Sequence, residues 1–231
     1  MSPLWISLNT TITATVLIFF LGILAARFMI RYRGRHKSLL DGLLILPLVL
    51  PPTVLGFILL LIFGRHGPVG RLLAGFGATV LFSWPATVIA ATVVAFPLMY
   101  RTTRGAFEQV DPNLLDAART MGLSEWYIFW RIMIPLAWPG IMAGTILAFA
   151  RALGEFGATL MLAGNIPGRT QTIPMAIFFL VESGRRQEAA VWTAVIMLIS
   201  LVAVIALHYW SKAKHPSARI EGERNVPASR Y

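Results

Sequence analysis

The run Glu108–Pro139, EQVDPNLLDAARTMGLSEWYIFWRIMIPLAWP, is the one long amphipathic stretch in a chain that is otherwise plainly apolar. Asp111 before Pro112 has the form of a helix N-cap with proline at the first helical position, where a missing N–H costs nothing. Leu114, Leu115, Ala118 and Met121 then recur at helical spacing, and Gly122 is suited to close that helix in a left-handed conformation. Ser124 is placed to cap a second helix whose Trp126, Phe129, Trp130 and Met133 form one apolar stripe. Pro135 is expected to end it. The reading is a helix–turn–helix with a small-residue centre, Ala117, Ala118 and Gly122, inserted between hydrophobic spans. Short side chains at such a turn let another surface come close to the backbone, which makes this a docking element. Two interfacial helices lying on the membrane surface are the alternative.

Working outward, the 231 residues are 57% hydrophobic and 13% charged, against roughly 25% charged in an average soluble domain. The chain is therefore read as an all-α integral membrane protein of one domain. It has no cysteine, which excludes a disulfide framework and thiol chemistry. The net charge of +10 comes from residues beside apolar spans rather than from a basic stripe interleaved with stacking aromatics. They act as topology signals, and nucleic acid is set aside as a partner.

Before the amphipathic run, residues 12–30 are long enough to span. Arg27, Arg31, Arg33, Arg35 and Lys37 follow that segment rather than precede it, unlike a cleaved signal peptide. A second span is expected over Leu43–Phe63, kinked at Pro47, Pro51, Pro52 and Gly56. Residues 64–84 are read as an external loop with a short surface helix at Arg71 to Ala74, and residues 85–100 as span three. After the run come span four, Pro139 to about Leu162, polar turn material at Asn165–Thr172, and Ile173–Val181, which is too short to cross. Span five is Ala189–Leu207, followed by a polar tail. Lys and Arg number five in 27–37, four in 101–131 and five in the tail, 14 on the inner side, against two in 64–84 and three in 164–189 on the outer. That asymmetry predicts the N-terminus outside and the C-terminus in the cytoplasm. Five spans result; a crossing at Ile173–Val181 would make six and violate the charge rule.

Arg151 and Glu155 are four apart, on one helix face, inside an apolar segment. A charge at the bilayer centre costs on the order of 3 kcal/mol on insertion scales, so such residues usually face the bundle interior and pair. One reading is a structural ion pair between helices. The other places them along a solute path, with Arg151 attracting an anion.

The pattern DAARTMG followed by IMIPLAWPGI resembles the cytoplasmic loop of bacterial ABC importer permeases: EAA, three residues, Gly, nine residues, I-x-L-P. Asp116 stands for the first Glu, and Ile134-Pro135-Leu136 inverts part of the ending. ALGEFGATLMLAGNIPGRTQTIP, and LPLVLPPTVLGFILL at residues 46–60, resemble oxyanion importer permeases, molybdate permeases in particular. The resemblance implies a type I importer transmembrane domain over 1–211, with coupling helices in the loop at about 108–135 and a polar cytoplasmic tail over 212–231. It implies that Asp116, Ala117, Ala118, Gly122, Ile134 and Pro135 serve the contact with a separate ATPase. Pro51, Pro52, Arg151, Glu155 and Thr159 are the candidates for the translocation path. The implied partners are two copies of a cytoplasmic ABC ATPase, a second permease copy, an external or periplasmic oxyanion-binding protein, and the lipid of the bacterial inner membrane. Molybdate is the expected solute, with tungstate or sulfate as alternatives.

Neither a catalytic role nor a cofactor is expected. No GxxxxGK[ST] phosphate loop exists, since the only Lys-Ser pair, Lys37-Ser38, follows His36. ATP hydrolysis must then come from a partner. His36, His66, His208 and His215 lie at loops or span ends, with no HExxH metal motif. Only Ser200 lies deep in a span, and no histidine accompanies it as a base. A secondary transporter or channel would favour an inverted repeat and an intramembrane proton or sodium site; no repeat is seen and Glu155 is the single candidate acid. A membrane scaffold without transport is the remaining competitor.

Overall fold

The computed structural model describes residues 2–212, with side chains to residue 205, and every regular element among them is helical. Three long helices form the heart of the bundle: α1 (Pro3–Arg31), α5 (Trp84–Glu108) and α8 (Ile134–Leu153). In α5 the most apolar stretch is 67% buried, whereas in α11 (Arg186–Lys212) it is 6% buried, so α5 is central and α11 lies at the edge. Gly22 of α1 and Gly144 of α8 both lie directly against the Met99 side chain of α5. Lipid tails are as apolar as leucine, so helices in a membrane associate through close van der Waals packing, which small residues permit. That packing builds one core from Ala14, Ile18, Ala26, Ala95, Ile141 and Ala148.

A second core lies on another face of α5. There Ala86, Ala90 and Val94 meet Leu55 and Leu59 of α3 (Pro52–Phe63) and Ala158, Leu162 and Ala163 of α9 (Gly157–Ala163). Gly56 makes the α3–α9 approach possible, since a Cβ there would sit 2.8 Å from the Ala158 Cα.

The second span is broken rather than kinked. Helix α2 (Lys37–Val49) and α3 meet at 115°. The residue before a proline is driven out of the α region. Pro51 and Pro52 do this in succession, leaving Leu50 at ψ 139° and Pro51 at ψ 138°, both extended. Pro47, preceded by a helical residue inside α2, leaves that helix continuous.

The expected stop at Pro135 is not observed. From α7 (Glu125–Ile128) the chain passes through a π-helical turn at Phe129–Met133 into α8, one continuous span over Glu125–Leu153. The wider π turn lies just ahead of Pro135, where its extra residue relieves the clash between the proline ring and the preceding turn. Span four therefore begins 14 residues before Pro139 and ends at Leu153, not at Leu162; Gly157–Ala163 is a separate helix. The first and third spans run longer than expected, from Pro3 and to Glu108. Helix α4 (Pro68–Ala74) takes the place foreseen for a short helix. Helix α10 (Ile173–Glu182) has ten residues, about 15 Å long, half a hydrocarbon core. The described residues thus contain four helices long enough to cross, and five spans if the bent α2–α3 pair is one. Of the expected tail only Lys212, the last residue of α11, falls within the described residues.

Candidate functional site

Two regions carry the polar chemistry. The first is the helix–turn–helix. Helix α6 (Pro112–Thr120) starts where the Asp111 carboxylate accepts the Asn113 N–H at 2.9 Å. It ends with Gly122 at φ 78° and with the Leu123 N–H donated to the Ala118 carbonyl at 3.2 Å, a Schellman closure. Ser124 caps the next helix by accepting the Tyr127 N–H at 3.2 Å. Between the two helices Arg119 reaches Asp116 at 2.6 Å and Glu125 at 2.7 Å. Its guanidinium is held above its ordinary pKa, by the hydrogen bond to Glu125 first and then by that to Asp116.

The small residues of the loop divide by face. Ala117 and Gly122 are exposed, flanked by exposed Leu114, Asp116 and Met121. Ala118 is 1% exposed and packs inward with Leu115, Ile128 and Phe129. It seats α6 on the bundle and offers nothing to an outside surface. Ile134 is buried and Pro135 exposed, both within the span. The aromatic stripe is also split, with Phe129 buried and Trp126 and Trp130 exposed, stacked edge to face.

The second region is where α8 stops. Arg151 occupies the last turn of α8, where a cation suits the helix dipole. Its Nη1 donates to Glu155 Oε2 at 2.9 Å, and Glu155 Oε1 accepts the Ala158 N–H at 2.8 Å, capping α9. The Glu155 side chain is 2% exposed and that of Arg151 is 31% exposed. The pair therefore lies at a helix break, not within a continuous span. Gly157 follows directly, and a Cβ there would sit 3.0 Å from Pro52. The α2–α3 elbow and the α8–α9 break thus meet, bringing Pro52 and its neighbour Pro51 to the stretch that carries Glu155 and buried Thr159.

One constellation has no counterpart in the sequence reading. Asp41 of α2 accepts Tyr100 Oη at 2.6 Å and pairs with Arg104 at 2.6 Å; Arg104 also holds Glu108 at 2.8 Å. It ties α2 to the end of α5 just before the amphipathic loop. Tyr100, Arg104 and Glu108 do fall at i, i+4, i+8 on one face, but Asp41 lies 59 residues from Tyr100. Among the described residues no group of three or more His, Cys, Asp and Glu side chains could hold a metal ion.

Long apolar helices, two breaks meeting around a charged pair, and an exposed capped helix at one end define a membrane-spanning transport subunit. The chain belongs to the binding-protein-dependent transport system inner membrane component family, whose pattern matches residues 18–211. It is a multi-pass membrane permease of the ABC importer class. It is 43% identical over 227 residues to the molybdenum transport system permease protein ModB of Escherichia coli K12, covering 96% of each chain. It is 39% identical over 213 residues to ModB of Haemophilus influenzae, covering 91% of this chain and 93% of that one. A bacterial alginate ABC transporter, solved with a periplasmic protein bound to an alginate pentasaccharide, has a chain of the same fold. Its TM-score is 0.73 at 18% identity, over 91% of this chain and 77% of that one.

Proposed function

We propose that this chain is the permease of an importer that carries molybdate inward, driven by ATP hydrolysed on a separate subunit. The observation that carries the reading is the likeness to a molybdenum permease along 96% of both chains. Two permease copies would enclose the path, two ATPase subunits would sit on the cytoplasmic side, and an external binding protein would deliver the dianion. The alginate transporter, which has a chain of this fold, forms a complex with a periplasmic protein, which supports the last of these partners. The N-terminus lies outside on this reading, because the charge asymmetry places the Arg27–Lys37 segment and α6 in the cytoplasm.

In this mechanism α6 is the coupling helix. Asp116, Ala117 and Gly122 supply its exposed, low-bulk face, Ala118 holds it to the bundle, and Ile134 and Pro135 begin the span it drives. When ATP closes the two ATPase subunits, both α6 helices move with them and the bundles rock between outward- and inward-open states. The path runs past the meeting of the two helix breaks, where Pro51, Pro52, Arg151, Glu155 and Thr159 gather. Broken membrane helices commonly mark substrate sites, since their freed backbone groups face a cavity. Arg151, a third exposed while its partner is buried, is the group that meets the anion.

The test is molybdate uptake by cells lacking their own molybdate permease, given this chain with its ATPase and binding protein, with tungstate and sulfate as competitors. Restored molybdate uptake resisting excess sulfate is expected. Sulfate uptake without molybdate uptake would overturn the solute assignment. Arginine at Ala117 or Gly122 should abolish ATPase co-purification at normal membrane abundance. Unchanged co-purification in both would remove the docking role of α6.

A further inference from the structure

Where α1 ends, α6 and α7 close one side of a cleft of about 400 Å³, within the roughly 300–1,000 Å³ of ordinary small-ligand sites. Four arginines line it, Arg27, Arg31, Arg33 and Arg119, against one carboxylate, Glu125. That carboxylate is already engaged by Arg119, which Asp116 also neutralises. Arg27, Arg31 and Arg33 take part in no ion pair among the described residues.

Arg27 is the unusual member. Its guanidinium lies 3.8 Å from the Phe129 ring centre and 4.5 Å from that of Trp126, which fixes its plane. Its Nη1 is buried without a hydrogen-bond partner. A buried charged donor left unsatisfied is costly, and a charge-assisted bond to an anion removes that cost. Arg31, Arg33 and Arg119 are exposed around the concavity, while Arg27 holds one donor there withheld from solvent.

We propose that this cleft binds a phosphate-type anion, supplied by the head group of an anionic phospholipid of the cytoplasmic leaflet. Beside it Trp126 and Trp130 are 62% and 48% exposed, and exposed tryptophans at a span end sit at head-group level. Basic pockets between spans on the cytoplasmic side suit anionic head groups. A lipid held there would brace α1 against the base of the coupling loop. The proposal rests on the orientation proposed above but not on which solute is carried.

The full-length permease, reconstituted with phosphatidylglycerol and phosphatidylcholine and released into detergent, is examined by native mass spectrometry for retained lipid. Wild type should keep one phosphatidylglycerol per chain. Arg31→Gln/Arg33→Gln should hold it about 30-fold more weakly, since each basic residue near the surface contributes about a factor of five. Arg65→Gln/Arg71→Gln, with the same charge removed from the opposite loop, should keep it. Should the first double variant melt early by tryptophan fluorescence, Arg33→Gln alone should show the roughly fivefold loss. Equal retention by wild type and the cleft variants would overturn the site. Displacement of the lipid by millimolar inorganic phosphate or molybdate would overturn the lipid as its source and leave a free-anion site. Lipid is counted without solute turnover, so an error in the solute assignment, read by uptake, leaves this count unchanged.

Discussion

Replacing Arg151 and Glu155 singly and together separates a structural pair from a solute contact. Arg151→Gln leaves a carboxylate whose side chain is 2% exposed, with only the Ala158 N–H to satisfy it. Removing one partner of a buried pair costs about 3–5 kcal/mol, or about 6–20 °C of melting midpoint for a chain of this size. Glu155→Gln costs less, about 1–3 kcal/mol. Its amide oxygen can still accept the Ala158 N–H, and Arg151, 31% exposed, can turn toward water. Arg151→Gln/Glu155→Gln leaves no charge without a partner and should lie within about 1 kcal/mol of wild type, a coupling of a few kcal/mol. Melting in detergent and uptake in cells are read on all four proteins. Stability that simply adds, with the double variant as poor as the sum of the singles, would refute the pairing. If the double variant regains stability but not uptake, Arg151 acts on the anion; if it regains both, the pair is structural and the path lies elsewhere.

Gly56→Val should lower the melting midpoint by the equivalent of about 1–3 kcal/mol, because its side chain meets the backbone of Ala158. Gly42→Ala, with no heavy atom near the added methyl in α2, should instead stabilise by up to about 1 kcal/mol; a destabilised Gly42→Ala would contradict this packing. Asp41→Ala should release α2 from α5, seen as faster proteolysis in the 32–36 loop, and should be non-additive with Tyr100→Phe, since both remove the same 2.6 Å bond. Cysteine at Ser2 should react with an impermeant thiol reagent from outside intact cells, and cysteine at exposed Ser38 should not. The reverse pattern would invert the topology.

What the sequence by itself determined is what depends on a few consecutive residues. Composition and span length settle a membrane bundle. The Asp111 and Ser124 caps and the left-handed Gly122 follow from local donors, acceptors and steric freedom, and each is found as read. Arg151 and Glu155 are paired as read, but across the end of α8 rather than on one helix face, since Glu155 lies beyond Leu153. Of the prolines read as interruptions, Pro51 and Pro52 break their span while Pro47 and Pro135 do not. Pro51-Pro52 turns the chain by 115°, whereas Pro135 is carried within a span by the π turn ahead of it. At both places residues distant in sequence pack close: Gly157 leaves room for Pro52, and Phe107 meets Phe129 at the π turn. Only tertiary structure decided that Ala118 faces the core while Ala117 does not, because an alanine's spacing says nothing about which side of its helix a bundle will cover. The Asp41–Tyr100–Arg104 tie and the arginine cleft were likewise decided there, by helix ends that meet only when α1, α2, α5 and α7 pack.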